Sequence, residues 1–377
     1  MKFLVLPFLL FCNLAFSQSF EELRASAASN LNKKDYCAAL VNLKAAFSQK
    51  ATPGQYDYIS GVSAAANCND IPLALKWLRK SYELGLGKDQ EEIRYLETNE
   101  SFKNISETDD FKAILKEMKQ RLAVKEKQRK EATETWNKSI VDHQIQAQVP
   151  FQKAPEGFAL YFTEADEQQA PYIVYVPKGY DPSKPATAIV FLHGGVNAVS
   201  EYYYKDPNVA TEPIFSIGEQ FHSIIIYPFA RKDFGWVNQV KAFENVFTIV
   251  KKVEERYNVD TARIYLGGMS NGGTATFWFA SRESTPFRAF YAFAANPVLK
   301  IGEIDFSKIT SAHPLYTLHS KDDETFRYED VIRIYNQNKK KAVGWKFQTI
   351  RKGSHSFIYD PEEGPKVLRS FFADFLK

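Results

Sequence analysis

The chain has 377 residues, of which 45% are hydrophobic and 15% aromatic, and its formal net charge is +3. A chain with this much apolar and aromatic mass can bury a core, which excludes an intrinsically disordered protein. The 48 basic and 45 acidic side chains nearly balance, so the basic excess of a nucleic-acid-binding protein is missing and no nucleic acid partner is expected. At roughly 150 residues per domain, the length predicts two or three domains.

The amino terminus has the parts of a secretory signal peptide. A lysine precedes the apolar run 3–11, and Ala15 and Ser17 are small residues at the positions of a cleavage site. We predict cleavage after Ser17 and a secreted or periplasmic protein. A lipid anchor on Cys12 is the less favoured alternative, because Phe11 stands where such signals need a small residue. No later stretch of about 18 residues is apolar and uncharged, so no stable membrane span is expected.

Residues 20–123 have a helical pattern, with apolar side chains at a period near 3.6 residues. Within it the segment 34–40, KDYCAAL, recurs as the segment 69–75, NDIPLAL, at an offset of 35 residues. The offset is close to the 34-residue period of repeats built from two helices. The region therefore resembles a tetratricopeptide-type array, and a protein partner is a candidate ligand for it.

Two cysteines remain after the predicted cleavage, Cys37 and Cys68. In the repeat register Cys37 opens the second helix of one unit, and Cys68 closes the first helix of the next. Antiparallel packing of these helices would bring the two ends together, and an exported protein meets an oxidising compartment. We therefore predict a disulfide between Cys37 and Cys68; two buried free thiols are the alternative.

A dense Lys, Arg, Glu and Gln pattern over 116–130 is typical of a solvated helix or spacer. After Pro155 the pattern changes to short β-rich runs that alternate with helical stretches, which indicates a mostly parallel sheet covered by helices on both faces. The predicted fold class is thus α/β, preceded by an all-α domain. The predicted divisions are a signal peptide over 1–17, helical repeats over 18–123, a charged helical linker over 124–150 and an α/β domain over 151–377.

A G-x-S-x-G motif, GMSNG, centres on Ser270 and lies between the predicted strand 263–266 and a predicted helix. A motif in this context is typical of a nucleophile elbow, in which the turn is so sharp that Cβ atoms two residues either side of the serine would collide. Ser270 is therefore the candidate nucleophile. A tight turn with an exposed capping serine is the alternative.

A nucleophilic serine needs a histidine base and a carboxylate, and in this chain order the acid comes between serine and histidine. His355 follows the last predicted strand directly, at the sheet edge that carries the serine, whereas His319 ends the preceding strand and is expected to make structural hydrogen bonds. Asp323 lies four residues beyond His319 and is the preferred acid, with Asp322 as the alternative.

Backbone N–H groups are needed to stabilise the oxyanion of the tetrahedral intermediate. The sequence His193-Gly194-Gly195 follows the predicted strand 187–192 and fits an H-G-G oxyanion motif. We predict the N–H groups of Gly195 and Asn271 as the donors, with Gly194 as the alternative to Gly195.

These elements, in this order on the predicted strand ends, closely resemble the α/β-hydrolase superfamily. The segment 257–265, YNVDTARIY, and the pair Gly235-Trp236 resemble those of secreted feruloyl esterases, polyhydroxyalkanoate depolymerases and carboxylesterases. The resemblance implies hydrolysis of carboxylic esters through an acyl-enzyme. It also implies that Trp236 lines the pocket, although a core tryptophan is an equal alternative. Tyr203, in a run of three tyrosines, is a second candidate for the substrate wall, unless the run is an ordinary surface cluster.

Only about 16 residues, 296–311, separate two of the predicted strands, which is too few for the helical cap that many lipases insert there. The cleft should be open and suited to esters on a bulky or polymeric chain. A serine peptidase on the same fold, and a binding protein without catalysis, are the alternative functions. The chain has no H-E-x-x-H motif and no cysteine pair at zinc spacing, so we expect neither a metal nor a cofactor.

Overall fold

A computed structural model describes residues 18–49, 52–142 and 156–377. The predicted signal peptide over 1–17, the end of the predicted linker over 143–150 and the first residues of the predicted α/β domain lie outside the described residues. The chain divides into two compact units, and the division falls after Lys130.

The first unit is built from helices. Their bounds are α1 (Phe20–Asn32), α2 (Tyr36–Phe47), α3 (Gln55–Asn67), α4 (Ile71–Glu83) and α5 (Gln90–Thr98), followed by α6 (Asp109–Ser139), whose last residues, from Glu131 on, belong to the second unit. Within this unit the core is formed by small and aliphatic side chains, including the fully buried Ala39 and Ala74. None of the helices in the described ranges is long and apolar enough to cross a membrane.

In each of the helix pairs α1–α2 and α3–α4, the two helices are connected by a turn of the same geometry. Lys34 and Asn69 both have φ of 62°, in the left-handed region. The next residue in each pair, Asp35 or Asp70, caps the following helix by accepting a backbone N–H through its carboxylate. The offset of 35 residues in the sequence therefore corresponds to a repeated turn geometry.

Cys37 is the second residue of α2, and Cys68 follows the last residue of α3. The structure joins the two by a disulfide, with their Cα atoms 5.1 Å apart. The bond closes a loop with a sequence separation of 31 residues that includes the link between the two helix pairs.

Within the described residues, the second unit contains a nine-stranded sheet with the strand order β1-β2-β3-β5-β4-β6-β7-β8-β9. Strand β3 pairs antiparallel with β2 and with β5, and the remaining pairs are parallel. The strands are β1 (Val141–Asp142), β2 (Gly157–Ala165), β3 (Gln168–Val176), β4 (Ala186–Leu192), β5 (Ile224–Pro228), β6 (Val259–Met269), β7 (Ala289–Phe293), β8 (Leu315–Ser320) and β9 (Trp345–Ile350). The predicted α/β class is confirmed, and only the short β1 was not expected.

Helices cover both faces of this sheet. They are α7 (Pro213–Gln220), α8 (Val240–Arg256), α9 (Asn271–Ala280), α10 (Tyr328–Asn338) and α11 (Gly364–Phe375). Alternate residues of β4 point to opposite faces, so Val190 packs in the cluster with α8 and α9, while Ile189 and Phe191 pack in the cluster with α7 and α11. Burial on both faces explains why the strands consist of almost continuous apolar residues.

The end of α6 falls within the charged helical linker predicted over 124–150 and belongs to the second unit. Trp136 is buried in the core of the second unit, and its ring lies 4.8 Å from that of Phe158. Its indole Nε1–H donates to the backbone oxygen of Tyr204 at 2.8 Å. The sequence did not predict this contact, because Trp136 is a single aromatic residue in a charged stretch and its partners lie far away in the chain.

The disulfide predicts a stability effect that is specific to the helical unit. Replacing Cys37 and Cys68 by alanine should lower the free energy of unfolding of this unit by about 3–4 kcal/mol, because a closed loop of this length restricts the unfolded chain. Thermal unfolding of the untreated double variant and of the protein in reducing buffer should agree. A mature protein whose mass is unchanged by reduction would contradict the disulfide.

Candidate active site

Ser270 lies in the turn between β6 and α9. Its φ of 54° and ψ of −115° are strained values for a residue with a side chain. A Cβ atom on Gly268 would lie 2.2 Å from the backbone oxygen of Leu192, and one on Gly272 would lie 1.8 Å from the same oxygen. Both glycines are therefore required by the close approach of β4, and the turn presents Ser270 at the carboxyl end of the sheet.

A chain of hydrogen bonds connects Ser270, His355 and Asp323. The Nε2 atom of His355 lies 2.9 Å from Oγ of Ser270, and its Nδ1 atom lies 2.9 Å from Oδ2 of Asp323. The Asp323 side chain is fully buried, and that of His355 is 19% exposed. The other carboxylate oxygen of Asp323 accepts the backbone N–H groups of Thr325 and Phe326, at 2.9 and 2.8 Å. Asp323 is thus held as an ionised acceptor behind the imidazole.

The sheet explains why residues so far apart in sequence meet. Strands β6, β8 and β9 are all parallel, so their carboxyl ends lie along one edge. Ser270, Asp323 and His355 each follow one of these strands.

Asp322, the alternative acid, holds the loop that carries the histidine. Its Oδ1 atom accepts the Ser320 hydroxyl at 2.5 Å and the backbone N–H groups of Gly353 and Ser354 at 3.0 and 2.9 Å. These hydrogen bonds, the one from Ser320 first, lower the pKa of the Asp322 carboxyl. The two adjacent carboxylates therefore have separate partners. In the sequence, the only sign that Asp322 supports the loop before His355 is its position next to Asp323.

The loop after β4 lies against the serine. Gly195 is in the left-handed region with φ of 70°, and a Cβ atom on Gly194 would lie 2.9 Å from Cβ of Ser270. The Asn271 side chain accepts the backbone N–H of Val196 at 3.1 Å, which ties this loop to the start of α9. Among the described residues, the backbone N–H groups of Gly195 and Asn271 have no hydrogen-bond acceptor. Sequence reasoning missed the role of the Asn271 side chain.

His193 stabilises the same loop from below. Its Nδ1 atom faces the backbone oxygen of Gly194 at 2.7 Å and so carries the proton, while Nε2 accepts the N–H of Ala230 at 3.0 Å. Burial lowers the pKa of His193 from 6.5 to about 4, so the ring is neutral at physiological pH.

The two residues expected in the substrate wall are engaged inside the protein. Trp236 is 2% exposed, and its Nε1–H donates to the backbone oxygen of His193 at 3.1 Å. The hydroxyl of Tyr203 lies 3.0 Å from that of Tyr227, and its ring packs edge-on to His193 at 5.0 Å. The burial of Trp236 favours the alternative of a core tryptophan, whereas Tyr203 is half-buried and its place in a substrate wall stays a prediction. Their aromatic rings were needed to bury the histidine, which a sequence pattern cannot reveal.

The connection from β7 to β8 contains a short 3-10 turn at Phe306–Lys308 and no α-helix. Within the described part of the chain, no group of three or more His, Cys, Asp or Glu side chains is arranged to hold a metal ion.

The neutral state of His193 predicts a pH effect on stability. The unfolded chain binds a proton at this histidine below about pH 6.5, and the folded chain binds it only near pH 4. The free energy of unfolding should therefore decrease as the pH is lowered from about 6.5 to about 4. The loss from this group should be roughly 3 kcal/mol. Urea unfolding followed by tryptophan fluorescence should show a smaller loss in His193→Gln over the same interval. An equal loss in both proteins would contradict the assignment.

Residues 230–369 match the profile of the dienelactone hydrolase family. The matched segment contains Ser270, Asp323 and His355. The chain is also similar to the bifunctional acetylxylan esterase/xylanase XynS20E of Neocallimastix patriciarum, with 25% identity over 169 residues. That similarity covers 42% of this chain and 22% of the relative, so the chain spans about a fifth of the relative's length.

Two solved structures are similar to part of the chain. A ferulic acid esterase has 18% identity and a TM-score of 0.46, and the similarity covers 58% of this chain and 98% of the esterase. The Pyrococcus horikoshii acylaminoacyl peptidase has 17% identity and a TM-score of 0.44, with 59% of this chain and 42% of the peptidase covered. The chain therefore contains a segment, residues 230–369, that is similar to the dienelactone hydrolase family, and this segment lies within a mostly parallel, helix-covered sheet of the predicted α/β class.

Proposed function

We propose that the protein is a secreted serine esterase in which Ser270, His355 and Asp323 form the catalytic triad. The observation that carries the proposal is the continuous chain of hydrogen bonds from Ser270 through His355 to a fully buried carboxylate. Secretion rests on the signal peptide pattern of the amino terminus.

The proposed reaction begins with attack of the Ser270 hydroxyl oxygen on the ester carbonyl carbon. His355 accepts the hydroxyl proton on Nε2, and Asp323 stabilises the imidazolium that results. The N–H groups of Gly195 and Asn271 would bind the oxyanion, with Gly194 as the alternative to Gly195. The imidazolium then protonates the departing alcohol, which leaves an acyl group on Ser270. A water molecule, deprotonated by His355, hydrolyses this acyl-enzyme.

We further propose that the ester belongs to a bulky or polysaccharide-linked substrate. The similarity to an acetylxylan esterase supports this class, and so does the absence of an α-helix between β7 and β8, where a cap would limit access. The helical unit, with its two equivalent helix pairs, resembles a tetratricopeptide-type array and is the candidate site for a protein partner.

The test compares wild type and Ser270→Ala on p-nitrophenyl acetate, acetylated xylan, a feruloyl ester and a peptide substrate. We expect wild type to hydrolyse the esters. The variant should lose at least about a thousandfold in kcat, because alanine has no hydroxyl group to attack the ester carbonyl. Full esterase activity in Ser270→Ala would remove the serine from the mechanism. Cleavage of the peptide alone would make the protein a serine peptidase.

The two adjacent carboxylates predict very different losses. Asp323→Asn should lower kcat by about a thousandfold to ten-thousandfold, because an amide in place of the buried carboxylate stabilises the wrong tautomer of His355. Asp322→Asn should lower it by only about tenfold, since it weakens the support of the Gly353 loop and leaves the His355 partner intact. Steady-state kinetics on p-nitrophenyl acetate separate the two. The reverse ranking would make Asp322 the acid.

A further inference from the structure

A second histidine contacts the carboxylate of Asp323. His319 is the penultimate residue of β8, and its side chain is 1% exposed. Its Nε2 atom lies 2.7 Å from the backbone oxygen of Phe326 and 3.3 Å from Oδ2 of Asp323. Because both neighbours are acceptors, Nε2 must carry the proton; it donates to the backbone oxygen of Phe326, and Oδ2 of Asp323 is a close electrostatic neighbour of the same N–H group.

This contact lies beside the hydrogen bonds of Asp323. One carboxylate oxygen, Oδ1, accepts the backbone N–H groups of Thr325 and Phe326. The other, Oδ2, accepts His355 at 2.9 Å and lies near the His319 donor at 3.3 Å. Each oxygen therefore faces two N–H donors, which is what an ionised carboxylate accommodates readily.

The same contact closes the turn that carries the acid. Phe326 donates its N–H to Asp323, accepts the His319 proton through its backbone oxygen, and packs its ring edge-on to His355 at 5.3 Å. Movement of the His319 side chain would thus reach both the acid and the base.

The surroundings keep His319 neutral. Burial lowers its pKa, the backbone oxygen of Phe326 and the charge of Asp323 oppose this, and His355 acts with burial. Tyr328 of α10 lies 6.3 Å away, ring to ring, and β9 contributes the uncharged ring of Phe347. Asp323, His355 and Tyr328 are the titratable groups that these contacts place around the imidazole.

We propose that His319 is a positioning residue that holds Asp323 and Phe326 in place and limits how strongly the carboxylate attracts the proton of His355. The proposal rests on the esterase function proposed above. The N–H group of His319, 3.3 Å from Oδ2, partly offsets the negative charge of that oxygen, so its removal should strengthen the interaction between Asp323 and His355.

The test uses His319→Leu, which removes the donor, and His319→Gln, whose amide nitrogen can reach the position of Nε2. The matched control is His313→Leu, because His313 precedes the same strand at the opposite end and bonds the backbone oxygen of Phe287 at 2.9 Å. All variants are made in the full chain, and thermal unfolding verifies that each is folded.

We expect His319→Leu to lower kcat about tenfold on p-nitrophenyl acetate with KM within about twofold. The acid limb of its kcat/KM profile should move up by about half a pH unit, since that limb reports the pKa of His355 in the free enzyme. His319→Gln should restore kcat to within about threefold and return the limb to its original position. His313→Leu should leave both unchanged.

A loss of activity in a folded His319→Leu without a shift of the limb, or with a downward shift, would overturn the proposal, as would a Gln variant no better than the Leu variant. An independent readout uses no substrate: the NMR titration of the His355 ring in the resting protein should move up in His319→Leu and return in His319→Gln. If wild type hydrolyses no ester, the proposed function fails, while this titration still decides the role of His319.

Discussion

The backbone oxygen of Leu192 is the contact on which the site depends. It lies within 2.2 Å of where a Cβ atom would stand on either Gly268 or Gly272, so β4 and the turn after β6 approach as closely as two backbones can. This approach forces the sharp turn that exposes Ser270. The chain that continues from Leu192 therefore passes directly beside the serine, and His193 and the two glycines after it need only a short loop to reach the reacting position. A side chain on either glycine would push the turn that carries Ser270 away from β4 and from the loop that contains Gly194.

Around this contact, parallel strands gather the remaining groups. The strands β8 and β9 end at the same edge as β6, and each is followed by a loop whose backbone is bonded to a carboxylate. Asp323 accepts the N–H groups of its own turn, and Asp322 accepts those of the loop before His355. The two neighbouring carboxylates thus each hold one loop. Together these hydrogen bonds fix the position of His355 relative to Asp323.

Burial determines the protonation of the histidines around the site. His193 and His319 are both buried, and burial lowers the pKa of each. Each is neutral and has a defined tautomer, because its donating nitrogen faces a backbone oxygen. His355 is the partly exposed one, which leaves its Nε2 able to exchange a proton with Ser270 and with a bound substrate. The three side chains are all imidazoles, and they differ in their exposure to solvent: His193 and His319 are buried, and His355 is partly exposed.

The sequence by itself determined the features that depend on neighbours in the chain. The strand and helix periods, the G-x-S-x-G turn, the repeat offset that brings Cys37 near Cys68, and the order of Ser270, Asp323 and His355 are all local patterns or simple consequences of a parallel sheet. Tertiary structure alone decided which carboxylate faces His355, that Trp236 is buried while Tyr203 is half-buried, and that Trp136 packs in the core of the second unit. Each of these depends on which surfaces of distant elements meet, because burial and hydrogen-bond distances are properties of packing that no single segment of the chain encodes.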